Sequence, residues 1–266
     1  MTAPPALVLV TRPEPGLSHT MAIFEKAGFH PLACPVLSIR PYGLPDSVQK
    51  QLRQVAHWDT LIFPSQHAVE QAFAICPHWS IGPATQLISV GKRTAHTLYD
   101  HLPTPTENPV LVPEKHNSDG VIELLSGLRR PGQVALITAP NGRQKIQQWF
   151  ASTQETNPAS IPAWREVFVY QRQPHPPNND CLHALKQTSA TGQVVFTLAT
   201  STGIVTALLE HWPQPCLAMV QQQPLVCASE RIAQAATDAG FRHCLIAEGA
   251  APQQLLAAVQ KATLTA

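Results

Sequence analysis

The chain has 266 residues, long enough for two domains of roughly 100 to 200 residues with separate cores. Only 13% of the residues are charged, and 18 lysines and arginines against 17 aspartates and glutamates leave a net charge of +1. No run of adjacent basic residues exceeds a pair such as Arg129-Arg130, which argues against a nucleic-acid or membrane-surface protein with its basic stripe.

At the N-terminus, Ala6 to Val10 is too short an apolar run for a signal-peptide core or a membrane span, so a cytoplasmic protein is expected. Leu7 to Val10 reads as a strand, followed by the loop Thr11-Arg12-Pro13-Glu14-Pro15-Gly16. Leu17, Met21 and Phe24 then recur at helical spacing up to a stop at Gly28. Cys34 to Pro41 reads as an extended strand leading out of this first lobe, and Asp46 to Val55 as a helix. Thr60 to Phe63 is a buried strand whose following Ser65 opens a helix with Val69, Ala72, Phe73 and Cys76 on one face. Leu87 to Val90 repeats the pattern, with Gly91-Lys92-Arg93-Thr94 opening the next helix.

Val110 to Val112 and Val134 to Ile137 are further strands, and Ser118-Asp119-Gly120 is expected to cap the helix between them. Trp164 to Arg172 reads as one extended strand, the second crossing between lobes, ending in the proline-rich segment Pro174 to Pro177. Tyr170 is thereby expected at an inter-lobe cleft. Strands at Val194 to Thr197, Leu225 to Cys227 and Cys244 to Ala247 precede a last helix carrying Leu255, Leu256 and Val259. Strands alternating with helices at this spacing imply parallel sheets covered on both faces.

The six cysteines, Cys34, Cys76, Cys181, Cys216, Cys227 and Cys244, fall mostly in apolar runs without C-x-x-C spacing and are expected as reduced core residues. The 12 histidines show no zinc-like spacing, so no metal is expected.

A weak internal repeat divides the chain. Thr11-Arg12-Pro13 matches Thr138-Ala139-Pro140, Ser65 matches Ser201, and Arg93-Thr94-Ala95 matches Arg231-Ile232-Ala233. One lobe then covers residues 38–168 and the other is split between 1–37 and 169–266. A continuous division near the middle would leave the first strand without a matching unit.

In open parallel sheets, ligands bind beyond the carboxyl ends of the strands, where helix N-termini also point. The side chains placed there are mostly hydroxyls and single arginines: Thr11, Arg12, Ser65, Arg93, Thr94, Arg143, Thr200, Ser201, Ser229 and Arg231. Such a set suits a ligand with several carboxylates, each held by a helix end and a capping hydroxyl, with arginine adding charge. No nucleophile elbow, phosphate-binding loop or dinucleotide fingerprint occurs, so cofactor-free chemistry is expected. Tyr170 is the candidate weak acid, since a phenol donates a hydrogen bond to a departing oxygen without ionising. An aromatic plug at the hinge is its other role.

Six motifs, in this order and spacing, resemble the uroporphyrinogen-III synthase family. They are Val10-Thr11-Arg12-Pro13, Ile62 to Val69, Val90 to Ala95, Ser118 to Val121, Val169-Tyr170-Gln171-Arg172 and Ser229 to Ala233. The resemblance implies two α/β lobes of Rossmann-like or flavodoxin-like kind, joined by a two-stranded ladder, with a cofactor-free and metal-free cleft. It implies cyclisation of the linear tetrapyrrole hydroxymethylbilane, a lyase reaction of heme biosynthesis that loses water and inverts ring D. The eight carboxylates of that substrate agree with the anion-ready strand ends. Tyr170 matches the family tyrosine proposed to help the terminal hydroxyl leave, and Thr94 and Ser65 match cleft-lining hydroxyls. Pro64 stands where the family usually has threonine, and Thr138-Ala139-Pro140 replaces a usual arginine-glycine pair. The expected partner is the tetrapyrrole alone, with no nucleic acid or membrane, bound by a monomer. Transient contact with the preceding pathway enzyme is left open. The other readings are a non-catalytic binding protein for a polyanion and a nucleotide-sugar-dependent glycosyltransferase.

Overall fold

The computed structural model describes residues 6–103, 110–128, 132–140, 142, 144–156 and 163–264. In chain order the first elements are β1 (Leu7–Val10), α1 (Gly16–Lys26), β2 (His30–Ala33), β3 (Leu37–Pro41) and α2 (Pro45–Val55). Next come β4 (Thr60–Phe63), α3 (Gln66–Ile75), β5 (Gln86–Ser89), α4 (Lys92–His101), β6 (Val110–Leu111) and α5 (Ser118–Gly127). They are followed by β7 (Val134–Thr138), α6 (Lys145–Thr156), β8 (Trp164–Phe168), β9 (Tyr170–Pro174) and α7 (Asn179–Thr191). The last are β10 (Val195–Ala199), α8 (Thr202–His211), α9 (Gln214–Gln221), β11 (Pro224–Cys227), α10 (Glu230–Asp238), β12 (His243–Ile246) and α11 (Pro252–Leu264).

Contacts divide the chain into two compact units, one of Met1–Ser38 with Gln173–Ala266 and one of Ile39–Arg172. The first holds a parallel sheet in the order β12-β11-β10-β1-β2, the second a parallel sheet in the order β6-β5-β4-β7-β8. A separate two-stranded sheet pairs β3 with β9. The α/β class with two parallel sheets and a two-stranded ladder is therefore the one the sequence predicts.

The central strands β1, β4 and β10 are apolar from end to end except for a threonine in each of the last two, and every residue in them is buried. A strand with both faces covered needs no alternation, which is why these runs read as continuous rather than period two. Helices supply the covers through narrow stripes. In α2, Val48, Leu52 and Val55 are buried while the rest of the helix is polar. Each such side chain contributes about 1.5 to 3 kcal/mol on leaving water.

Strand order makes the internal repeat visible. Taking β1 with β7, β2 with β8, and β10, β11, β12 with β4, β5, β6, both sheets run 2-1-3-4-5, the order of flavodoxin-like sheets. In the second unit the same order is entered at its third strand, so it is a circular permutation of the first.

Four expectations are corrected. The run Cys34 to Pro41 is not one strand: β2 ends at Ala33 inside the first sheet, and only Leu37–Pro41 forms the crossing strand. Trp164 to Arg172 divides in the same way, into β8 at the edge of the second sheet and β9 in the ladder. Alternation marks extended backbone but does not say which partner each half takes. The cap of α5 is Asn117, whose Oδ1 accepts the Gly120 N–H at 3.0 Å, with Ser118 already helical. Finally, Cys34 and Cys181 form a disulfide across 147 residues, both buried, and are not free thiols. It joins the end of β2 to the first turn of α7, where Asn178 also donates to the Ala33 carbonyl at 3.0 Å. The other four cysteines are free. Burial and the neighbouring Cys244 push the Cys227 thiol up to about 12.

Candidate active site

The strand order of the second unit reverses between β4 and β7, which places a crevice at their carboxyl ends. A cavity of about 230 Å³ lies there, lined by Ser65, Asn117, Thr138, Gln147, Tyr170 and Arg172 among others. Two helices begin at its wall. Ser65 caps α3 by accepting the Ala68 N–H at 3.2 Å, and Asn117 caps α5. Their positive ends and remaining N–H groups favour an anion. The described lining residues include no carboxylate and one permanent cation, Arg172.

Tyr170 opens β9, and its ring is 2% exposed within the core that covers β4 and β5. Its hydroxyl lies 3.1 Å from Ser65 Oγ and accepts a hydrogen bond from Arg172 Nη2 at 2.9 Å. The Arg172 guanidinium also stands 5.3 Å from the ring centroid, and the His67 ring lies 5.7 Å away on another element. The Tyr170 ring is thus packed in this core while its hydroxyl lies on the cavity wall. His67 stands 3.8 Å from Glu70, whose carboxyl is held above its ordinary value by burial, partly offset by His101.

Of the other predicted residues in this unit, Thr94 is buried in the first turn of α4 and Arg93 is exposed beside it; neither lines the cavity. Arg143 lies outside the described residues. In the first unit, Ser201 caps α8 through Ile204 N at 3.3 Å, as Ser65 does in the second. Thr200 precedes it, half-buried. Ser229 occupies the cap position of α10 with no side-chain bond to the helix. The exposed Arg231 reaches Thr202 Oγ1 at 3.4 Å. Arg12 lies against Gly16 and donates to the Ala250 carbonyl at 3.2 Å. Thr11 is fully buried and its hydroxyl donates to the Leu198 carbonyl, fastening the end of β1 to β10.

Several lining residues escaped the sequence reading of the site, Arg172, Asn117 and Gln147 among them. Arg172 had a usable signal, because positions 170 and 172 of a strand share one face. Asn117 had one as a capping side chain three residues before Gly120. Gln147 had none: its Nε2 donates to Glu166 Oε1 at 2.9 Å, and its Oε1 is buried with no hydrogen-bond partner among the described residues.

Among the described residues there is no group of three potential metal-ligating side chains, and no helix is long and apolar enough to cross a membrane. Two flavodoxin-order sheets, one ending in a cation-bearing cavity whose described lining holds no carboxylate, define the α/β class of the protein. The family model described as Uroporphyrinogen-III synthase HemD matches residues 18–257, and the chain belongs to that family. A protein of Methanothermobacter thermautotrophicus, provisionally named a uroporphyrinogen-III synthase, is 31% identical over 140 residues. The match spans 52% of this chain and 53% of that relative, about half of each. The uroporphyrinogen-III synthetase of Helicobacter pylori shares the fold with a TM-score of 0.58 at 13% identity, over 97% of this chain and 99% of that one. A mutant uroporphyrinogen III synthase of Thermus thermophilus does so with a TM-score of 0.56 at 16% identity, over 96% and 99%.

Proposed function

We propose that the protein is a uroporphyrinogen-III synthase, a cyclising lyase that converts hydroxymethylbilane to uroporphyrinogen III with loss of water. The observation that carries this reading is the Tyr170 hydroxyl, held between Ser65 and Arg172 on the wall of an anion-suited cavity in a member of this family. The first task is departure of the terminal hydroxyl from ring A. A phenolic O–H within reach of the leaving oxygen donates to it as the C–O bond breaks, a contribution of about 10²- to 10⁴-fold. The second is positioning. The substituted carbon of ring D attacks the freed methylene, and the resulting spiro intermediate reopens and closes with that ring inverted. Carboxylates held at helix ends and at arginines do this work by fixing the chain, without strong catalytic groups.

The test is product identity. Hydroxymethylbilane closes unaided to the symmetrical type I isomer, so adding the protein to freshly generated substrate should shift the oxidised porphyrins from type I to type III. The shift should persist with chelator present and no nucleotide added. Unchanged type I product with folded protein would defeat the proposal.

A further inference from the structure

We propose that Arg172 is the positioning residue of the acid step, turning the Tyr170 proton into the cavity and holding the charge that Tyr170 acquires when it gives that proton up. This inference rests on the catalytic reading of Tyr170 above.

A phenolic hydroxyl has one proton to give and two positions at which to accept. Arginine can only donate, so the 2.9 Å contact from Arg172 Nη2 fills one accepting position with a charge-assisted bond. The second neighbour, Ser65 Oγ at 3.1 Å, can stand on either side of its bond, but its oxygen already accepts the Ala68 N–H. When Ser65 donates, both accepting positions of Tyr170 are filled and its own proton has no protein acceptor among these partners. The open side of this cluster is the cavity. An incoming hydroxyl oxygen offers the missing acceptor and so selects this arrangement, in which every group is satisfied.

The guanidinium contributes in two further ways. Lying 5.3 Å from the ring centroid, it pins the approach to the phenol as well as the bond. It also draws electron density from the phenolic oxygen, which strengthens that O–H as a donor. In the step itself the C–O bond of the substrate breaks, the departing oxygen takes the Tyr170 proton and leaves as water, and the phenolate oxygen remains beside the Arg172 cation. The closing pyrrole carbon later gives up a proton, which restores the phenol, so the net change is loss of one water. Arg172 is exposed, and its side-chain hydrogen bond and its cation–π contact among the described residues are both with Tyr170.

A double-mutant cycle on the full chain tests this, with kcat, KM and the type I to type III ratio as readouts. Arg172→Gln should lower kcat by about 10- to 10²-fold, toward the loss seen on removing one preorganised donor, with the thermal midpoint changed little and any rise in KM smaller than the fall in kcat. Arg172→Lys, which keeps charge and a donor but not the planar fork, should recover part of the loss. In the Tyr170→Phe background, Arg172→Gln should cost nothing further in kcat. An equal loss in both backgrounds would overturn the proposal, because Arg172 would then act on substrate independently of Tyr170. A wild-type rate for Arg172→Gln beside a slow Tyr170→Phe would also overturn it, leaving the catalytic tyrosine intact. A wild-type rate for Tyr170→Phe would remove the tyrosine reading and this inference together.

Discussion

Replacing Ser65 by alanine removes two hydrogen bonds through one oxygen, and the repeat in the fold supplies the comparison that separates them. Ser65 Oγ accepts the Ala68 N–H at the start of α3 and meets the Tyr170 hydroxyl at 3.1 Å. Ser201 Oγ accepts the Ile204 N–H at the start of α8 in the same way and makes no hydrogen bond to a tyrosine among the described residues. Loss of a serine cap costs about 1 kcal/mol, so Ser201→Ala should lower stability by about that amount. Ser65→Ala should cost about 0.5 to 1.5 kcal/mol more for the second bond. A chain of this size shifts its midpoint by about 2 to 4 °C per kcal/mol. Calorimetry should therefore show about 2 to 4 °C for Ser201→Ala and roughly twice that for Ser65→Ala. The decisive measurement is the pair Ser65→Ala with Tyr170→Phe. Each single change breaks the same bond, so the double variant should be more stable than the sum of the singles predicts, by about 0.5 to 1.5 kcal/mol. Strict additivity would mean that the hydroxyls do not interact and would refute the geometry on which Tyr170 depends.

Thr11→Val should lower the denaturation midpoint, because a buried carbonyl loses a donor, at a cost of about 1 to 3 kcal/mol; KM should be unchanged, and a raised KM would return Thr11 to the ligand site. Glu70 is held above its ordinary carboxyl value of 4.5 by burial, so the folded state binds that proton more tightly than the unfolded chain. Its stability contribution therefore falls as pH rises from 4.5 through the raised value. Glu70→Gln, always neutral, should be the more stable protein at pH 7, with the difference vanishing below pH 4.5 in denaturant titrations; a difference independent of pH would exclude this cause.

The sheets were legible because β4, β5, β7 and β10 are short apolar runs closed by loop residues, and three brief motif matches were enough to show that the pattern occurs twice. What failed was partner assignment. Residues 164–172 carry one continuous extended signal, yet Val169 separates a strand bound to β7 from one bound to β3. The disulfide was hidden for a related reason: Cys34 and Cys181 look like any buried apolar position until the fold brings them together. Of the cavity lining, Ser65 and Tyr170 were legible because each sits at a strand or helix end that chemistry marks. Gln147 was not, because its orphaned oxygen depends on Glu166, which arrives from β8.

The insertion of the second unit within the first also bears on the order of assembly during synthesis. β1 and β2 leave the ribosome first, but β1 must lie against β10, with Val10 opposite Leu198. At 5 to 20 residues per second, the roughly 190 residues between them take about 10 to 40 s. Within that interval every strand from β4 to β8 has appeared, so the unit of Ile39–Arg172 can complete its sheet first. The nascent chain then carries a finished domain beside an orphan pair of strands whose open edge is Leu-Val-Leu-Val, the kind of edge that invites wrong partners. A ribosome stalled between Arg172 and Val195 would present that edge indefinitely, making this stretch the point in translation at which the chain most depends on a chaperone.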